Sequence, residues 1–209
     1  MYNSKVVYVS SPLPEGFDLQ YVLSTVEDRV PPRFAHEVDY VMVGQNDELN
    51  AREINAMFKD GAIYVTNEQE NEEDMIDDIV HEIAHSTEKM YGAEIYSDSE
   101  IEVEFLGKRK RLLDLLKAEY GEEIRAMSKK FLEVEYSKRF DEFLYKGIGY
   151  PKLTMLTLGL FVSPYGITSL REYFANGFEE YFLGDIEYVR KISPKVYLKI
   201  NELINDDII

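Results

Sequence analysis

The chain has 209 residues, with 40 acidic and 23 basic side chains and a formal net charge of −17. Its hydrophobic content of 45% supports one folded core, and its acidity argues against the basic surface that nucleic-acid phosphates require. The absence of cysteine excludes disulfides, thiolate metal ligands and a cysteine nucleophile.

From the sequence we expect neither a signal peptide nor a membrane-spanning segment. Residues 1–16 lack the charged segment followed by an apolar segment that a signal peptide needs. The longest apolar stretch, residues 153–162, is much shorter than the roughly 20 residues that cross a bilayer. We therefore expect a cytoplasmic protein with no membrane partner, and leave export by another route open.

Strands and helices alternate in the first third of the chain. Runs rich in β-branched residues predict strands at 5–9, 38–44 and 61–67. Apolar residues at helical spacing predict helices at 17–30 and 49–58. This alternation predicts an α/β or α+β sheet layer.

Residues 71–90 have the pattern of an amphipathic helix. Asn71 can cap it, and three acidic residues occupy its first turn, where the helix dipole favours negative charge. Gly92 is predicted to end the helix. Its predicted buried face consists of Met75, Ile76, Ile79, Ile83 and Met90.

Residues 98–147 are densely charged, with apolar residues at steps of three and four. This pattern predicts two helices that meet near Gly121 as an antiparallel hairpin inserted into the domain. The hairpin is interpreted either as an arm that docks a partner or covers a cleft, or as a stabilising insertion with solvated outer faces. Further helices are predicted from Ser169 and over 193–204.

His81, Glu82 and His85 form the motif H-E-x-x-H on the predicted helix 71–90. Residues four apart lie on one helix face, so both imidazoles can reach one cation. Histidine nitrogen is a good zinc ligand, and the neighbouring Glu82 carboxylate can accept a proton from an attacking water. The motif therefore predicts a hydrolytic zinc site, against the alternative of two surface histidines.

A third protein ligand is needed, and local spacing leaves its identity open. One group of candidates follows the motif closely: Glu94, Glu100, Glu102 and Glu104. The other candidate is Glu172, for which a second interpretation exists. Ser169-x-x-Glu172 is a capping box, so Glu172 can serve only to cap its helix.

The segment PYGITSLREYFANGFEEYF resembles the C-terminal signature of the anthrax lethal factor catalytic-domain family, which includes the secreted Pro-Pro endopeptidases. In that family a Tyr-Gly-x-Thr segment precedes a helix that begins x-Glu-aromatic-Phe-Ala. Here Tyr165 precedes Glu172 by the same seven residues. The closing segment SPKVYLKINELI is similar to the family's last helix, and KDGAIYV is similar to its edge strand.

The resemblance implies an α+β, zincin-like metalloprotease fold with a small mixed sheet, an active-site helix and a helical C-terminal half. It also implies a single metallopeptidase domain over residues 1–209. It implies one Zn²⁺, held by His81, His85 and Glu172. The resemblance thus selects Glu172 among the candidate glutamates.

The resemblance also implies that Glu82 is the general base and that Tyr165 stabilises the oxyanion of the reaction. The expected substrate is an extended protein or peptide paired with the strand at 62–66. The implied function is that of a zinc-dependent endopeptidase. The alternative is a catalytically weak or inactive zinc-binding module of the same fold that binds a protein partner.

Two features depart from the family. The distance in sequence from His85 to Glu172 is longer than usual, and the segment 98–147 accounts for the excess. Asn176 stands where the family often has a glutamate that supports a metal ligand. An asparagine can accept a hydrogen bond from a ligand imidazole but raises its basicity less than a carboxylate does, and Glu179 is a candidate replacement.

Overall fold

The computed structural model describes residues 5–205, so the first four residues of the N-terminal segment considered above lie outside it. The described chain combines a small mixed sheet with many helices, which confirms the predicted α+β class. It forms two compact units, one up to Gly92 and one from Ala93 onwards.

The sheet belongs to the first unit and has four described strands. These are β1 (Val6–Val9), β2 (Tyr40–Val43), β3 (Ala56–Lys59) and β4 (Ala62–Val65). Their order is β1-β2-β4-β3, with β2 parallel to β1 and β4, and β3 antiparallel to β4. The three predicted strands correspond to β1, β2 and β4, each within two residues at either end.

The prediction of a helix over 49–58 is wrong in its second half. Helix α2 (Asp47–Arg52) ends at Glu53, which has a left-handed conformation with φ 56°. Asp60 and Gly61 also have positive φ, 51° and 83°, as the two central residues of a type I′ hairpin turn require. The chain between these two points is therefore strand β3, which folds back onto β4.

The prediction that the strand at 62–66 is an edge strand is also wrong. β4 pairs with β2 on one side and with β3 on the other, so both of its edges are occupied, and the edge strands of this sheet are β1 and β3. Thr66 donates its N–H to the carbonyl of Asn55 in the register that continues this pairing. Because antiparallel hydrogen bonding alternates, Ala56 and Phe58 direct their backbone groups away from β4.

Two long helices complete the first unit. Asp18 caps α1 (Leu19–Arg29) by accepting from the N–H of Tyr21. Asn71 caps α3 (Glu72–Tyr96) by accepting from the N–H of Asp74, as predicted. Four of the five residues predicted for its apolar face are buried, and the fifth, Met90, is exposed.

The predicted stop at Gly92 coincides with a kink rather than with the end of α3. Tyr91 has a non-helical φ of −111° and ψ of 18°, and a second helical segment continues to Tyr96. Glycine lowers helix stability without forbidding a helix, and the residues after it continue the helical pattern.

The second unit consists of helices and short helical turns. None of the helices in the described part of the chain is long and apolar enough to span a bilayer. The helices are α4 (Glu100–Tyr120), α5 (Glu122–Arg125), α6 (Lys138–Glu142), α7 (Tyr150–Thr157), α8 (Leu170–Leu183), α9 (Ile186–Ile192) and α10 (Pro194–Asn205).

The segment 98–147 does not form the predicted hairpin of two helices. Its first helix is α4, but after Gly121 the chain forms only short helical pieces, among them a π-helical turn at Phe143–Ile148. α4 packs against α7, α8 and α10 and buries seven of its side chains. It is therefore part of the core of the second unit, and docking of a partner on its outer face stays a prediction.

Two buried cations of α4 link it to its neighbours. Arg109 lies between the rings of Phe105 and Phe140, 4.7 and 4.4 Å from their centroids, and donates to backbone carbonyls. Lys108 donates from Nζ to the Tyr173 hydroxyl, the Ile192 carbonyl and the Ser193 hydroxyl. Helix α4 is thus hydrogen-bonded to α8 and to the junction of α9 and α10.

The burial of Lys108 predicts a pH-dependent stability. Desolvation lowers the pKa of Lys108 to about 8, and the charge of Glu104 offsets part of this effect. Between pH 8 and 10 the unfolded chain keeps a proton that the folded chain has released, so the free energy of unfolding rises with pH. Between pH 7 and 10 the free energy of unfolding of wild type, measured in urea, should rise by about 2 kcal/mol relative to that of Lys108→Met. If the free energies of unfolding of the two proteins differ by the same amount at every pH, Lys108 stays charged in the folded protein.

Candidate metal centre

Helix α3 presents two imidazoles on one face. His81 and His85 are one turn apart, and their ring centroids are separated by 5.0 Å with an interplanar angle of 78°. Both side chains are partly exposed, so a cation can reach them from solvent. This arrangement is the one that the i, i+4 spacing predicts.

Glu172 lies in the first turn of α8. Its N–H donates to the hydroxyl of Ser169 at 3.2 Å, so the capping interaction predicted for this pair is present. One ligand atom from each of His81, His85 and Glu172 lies within 4.8 Å of the other two. The cap involves the backbone N–H of Glu172, and the three residues together form a group that can hold a metal ion.

Two of the other candidate glutamates have their carboxylates engaged elsewhere. Glu104 accepts from the Tyr173 hydroxyl at 2.7 Å and from the N–H of Lys195 at 3.1 Å. Glu100 pairs with Nζ of Lys195 at 2.8 Å. Neither belongs to a metal-binding group among the described residues.

The carboxylate of Glu82 is held by the edge strand β3. Glu82 is 8% exposed, and its Oε2 accepts a hydrogen bond from the N–H of Phe58 in β3 at 2.5 Å. This N–H points away from β4, so the contact does not compete with the hydrogen bonds between β3 and β4. The contact fixes the side chain that follows His81 beside the outer edge of β3.

Buried hydroxyls connect the same helix to a 3₁₀ turn at Pro32–Ala35. Ser86 and Thr87 both donate to the carbonyl of Ile83 at 2.8 Å, and both lie 3.2 Å from the carbonyl of Phe34. At the helix surface Lys89 pairs with Glu37 at 2.8 Å. These contacts restrain the helix immediately after His85.

Tyr165 lies in the 3₁₀ turn Tyr165–Ile167 that precedes α8. Burial raises the pKa of the Tyr165 hydroxyl well above its ordinary value, and the nearby charge of Glu172 raises it further. The phenol is therefore neutral at physiological pH and can donate a hydrogen bond. Tyr150 is a second phenol with a raised pKa. Burial, together with the charges of Asp141 and Glu172, raises its pKa to about 12.

The side chain of Asn176 supports the turn that carries Tyr165. Its Oδ1 accepts a hydrogen bond from the hydroxyl of Ser163. A Cβ at Gly166 would come within 3.3 Å of the same oxygen, so the turn packs closely on this amide. Support of a metal-ligating imidazole by Asn176 or by Glu179 stays a prediction.

The bond between Asn176 and Ser163 predicts a coupled loss of stability. Asn176→Ala should lower the free energy of unfolding by about 1–2 kcal/mol, because it removes a buried hydrogen bond. Ser163→Ala should cost less once Asn176 is already alanine, with a coupling of about 0.5 kcal/mol or more. Urea unfolding of both single variants and the double variant measures this. If the losses of the two single variants simply add up in the double variant, the two side chains do not stabilise each other. The control is Asn205→Ala, at an exposed position.

Sequence reasoning missed three contacts around the motif. The Asp60-Gly61 dipeptide, a hairpin signal, could have located β3 and with it the N–H of Phe58 that contacts Glu82. Glu88 lies three residues after His85 and contacts its ring, as helical spacing allows. No local pattern predicted the hydrogen bond between Ser163 and Asn176.

Comparison of the chain with family models, with curated proteins and with solved structures gave no match.

Proposed function

We propose that the protein is a zinc-dependent endopeptidase of zincin-like fold. The observation that carries the proposal is the grouping of two imidazoles and one carboxylate next to a second, buried carboxylate. The first three are His81, His85 and Glu172, and the second carboxylate is Glu82. Zinc hydrolases use this combination, with three protein ligands and a separate proton acceptor.

The donor set fits zinc better than a hard cation. Imidazole nitrogen suits Zn²⁺, whereas Ca²⁺ and Mg²⁺ prefer oxygen ligands alone. Three protein ligands, rather than four, are typical of catalytic sites that leave a position for water. The partial exposure of all three residues agrees with access for a substrate.

Each catalytic group has a role that its environment supports. When bound, zinc lowers the pKa of a water molecule and polarises the scissile carbonyl. Glu82 accepts the proton of the attacking water and passes it to the leaving amine. Tyr165 donates its hydroxyl hydrogen bond to the oxygen that becomes negative in the transition state. The raised pKa of this phenol keeps the donor protonated.

The substrate is proposed to be an extended peptide paired with β3, in place of the strand at 62–66 that the sequence suggested. β3 is an edge strand whose Ala56 directs its N–H and C=O outward, while the outward N–H of Phe58 already donates to Glu82. An edge strand can recruit a peptide through main-chain hydrogen bonds. Because Phe58 contacts Glu82, a peptide on this edge passes close to the general base.

A peptide library tests the activity. Zinc-loaded protein should cut a subset of a mixed library, and mass spectrometry identifies the cut bonds. The same protein after chelation should cut nothing, and zinc should restore the same cut sites. If a library of random peptides and a library rich in proline both stay intact, the protein is a zinc-binding interaction module instead.

A further inference from the structure

Next to the metal-binding histidines lies a buried carboxylate that the proposed mechanism does not use. Glu88 is on α3, three residues after His85, and its side chain is 4% exposed. Its Oε2 is 2.8 Å from Nδ1 of His85. Burial of a carboxylate is costly without a polar partner, so a specific contact is expected to keep Glu88 in this place.

The contact determines how His85 presents its ring. A carboxylate accepts hydrogen bonds, so this contact favours the tautomer in which Nδ1 of His85 carries the proton and donates to Glu88. The nitrogen left with a lone pair is Nε2, on the opposite side of the imidazole. A proton held on Nδ1 thus selects the tautomer in which Nε2 can bind a cation.

We propose that Glu88 is a positioning residue that orients His85 and strengthens it as a metal ligand. This inference rests on the proposed function, because it assumes that His85 binds zinc. Glu88 would then support a metal ligand, the role that the family resemblance suggests for position 176. A carboxylate hydrogen-bonded to a ligand imidazole fixes its tautomer and ring orientation and raises its basicity. Asn176 instead bonds to Ser163.

The backbone around Glu88 makes the orientation rigid. The two preceding residues, Ser86 and Thr87, are buried and hydrogen-bonded through their hydroxyls to the carbonyl of Ile83. Glu88 therefore starts from a fixed part of the helix. A carboxylate with little freedom can hold an imidazole at one angle, and this reduces the entropy lost when the metal binds.

Zinc affinity tests the inference without any measurement of proteolysis. Metal-free protein is titrated with zinc in competition with a chromophoric chelator, for wild type, Glu88→Ala and Glu88→Gln. Outer-sphere partners of this kind typically contribute about 10–100-fold in affinity, so Glu88→Ala should weaken zinc binding by that factor. Glu88→Gln should recover part of the loss, because its amide oxygen still accepts from Nδ1 but carries no charge.

A matched control separates positioning from a general loss of charge. Glu73→Gln removes one negative charge from the exposed first turn of the same helix and should leave zinc affinity within about 2-fold of wild type. Circular dichroism of each metal-free variant identifies the temperature range in which it is folded, and the titrations are made there. If Glu88→Ala is unfolded, the comparison of Glu88→Gln with Glu73→Gln decides the question.

Cobalt supplies a spectroscopic readout that a structural role would not change. Visible bands of bound Co²⁺ report ligand strength and geometry, so Glu88→Gln should shift them relative to wild type while Glu73→Gln does not. Equal zinc affinity and equal spectra in wild type and both Glu88 variants would overturn the inference and leave the proposed zinc site standing. Failure of wild type to bind zinc would overturn the proposed function and the inference together.

Discussion

Replacing Glu82 with glutamine should reduce peptide cleavage by about 10²–10⁴-fold and leave zinc affinity nearly unchanged. The amide cannot accept the proton of the attacking water, whereas the three proposed ligands are untouched. Initial rates of cleavage on a peptide selected from the library, together with the zinc content of both proteins, measure the two effects.

The structure explains why glutamine is the sharper substitution at this position. Its amide oxygen can still accept the hydrogen bond from the N–H of Phe58, so the contact between α3 and β3 is preserved. Glu82→Ala would lose that contact as well. Glu73→Gln, on the same helix, is the control for charge and should cleave at the wild-type rate. Cleavage by Glu82→Gln at a rate close to wild type would remove Glu82 from the mechanism.

Replacing Glu172 with alanine should weaken zinc binding by more than about 100-fold. Loss of a residue outside the coordination sphere typically costs about 10–100-fold, and loss of a direct ligand should cost more. The substitution leaves the helix cap in place, since Ser169 accepts from the backbone of Glu172 rather than from its side chain. Competition with a chelator measures the affinity, and circular dichroism of the metal-free variant identifies the temperature range in which it is folded.

The nearby glutamates provide the comparison. Glu100→Ala and Glu104→Ala should keep wild-type zinc affinity, although Glu104→Ala should also lower stability by breaking its bonds to Tyr173 and Lys195. Glu172→Gln removes the charge at constant size, and its zinc affinity should lie between those of wild type and Glu172→Ala. If zinc is retained by Glu172→Ala and lost by one of the other two, the third ligand is assigned wrongly.

Patterns within one element predicted the parts of the molecule that local chemistry determines. Helix α3 followed from its cap, its acidic first turn and its apolar face, and the placement of His81 and His85 followed from it. The strands β1, β2 and β4 followed from their β-branched runs. In each case the signal lies within about ten residues, where propensity and periodicity act directly.

Features that depend on distant partners could not be predicted in the same way. Glu172 was nominated by the resemblance of a motif, because spacing did not distinguish it from nearer glutamates. The two-helix hairpin is wrong because the chain after Gly121 forms short helical pieces instead of a second long helix. The burial of Lys108 and Arg109 in α4 could not be inferred from charged residues at helical spacing. Strand β3 was missed although Asp60-Gly61 marks its turn, because the apolar residues before it also fit a helix.

A zinc titration followed by cleavage assays decides whether the protein is a zinc endopeptidase. Metal-free wild type receives increasing zinc, and the rate of cleavage of one library-selected peptide is measured at each step. We predict that activity rises in proportion to zinc and stops rising at one zinc per chain. Cleavage that does not depend on zinc, or uptake of one zinc per chain with no cleavage of any library peptide, would contradict the assignment of a zinc endopeptidase.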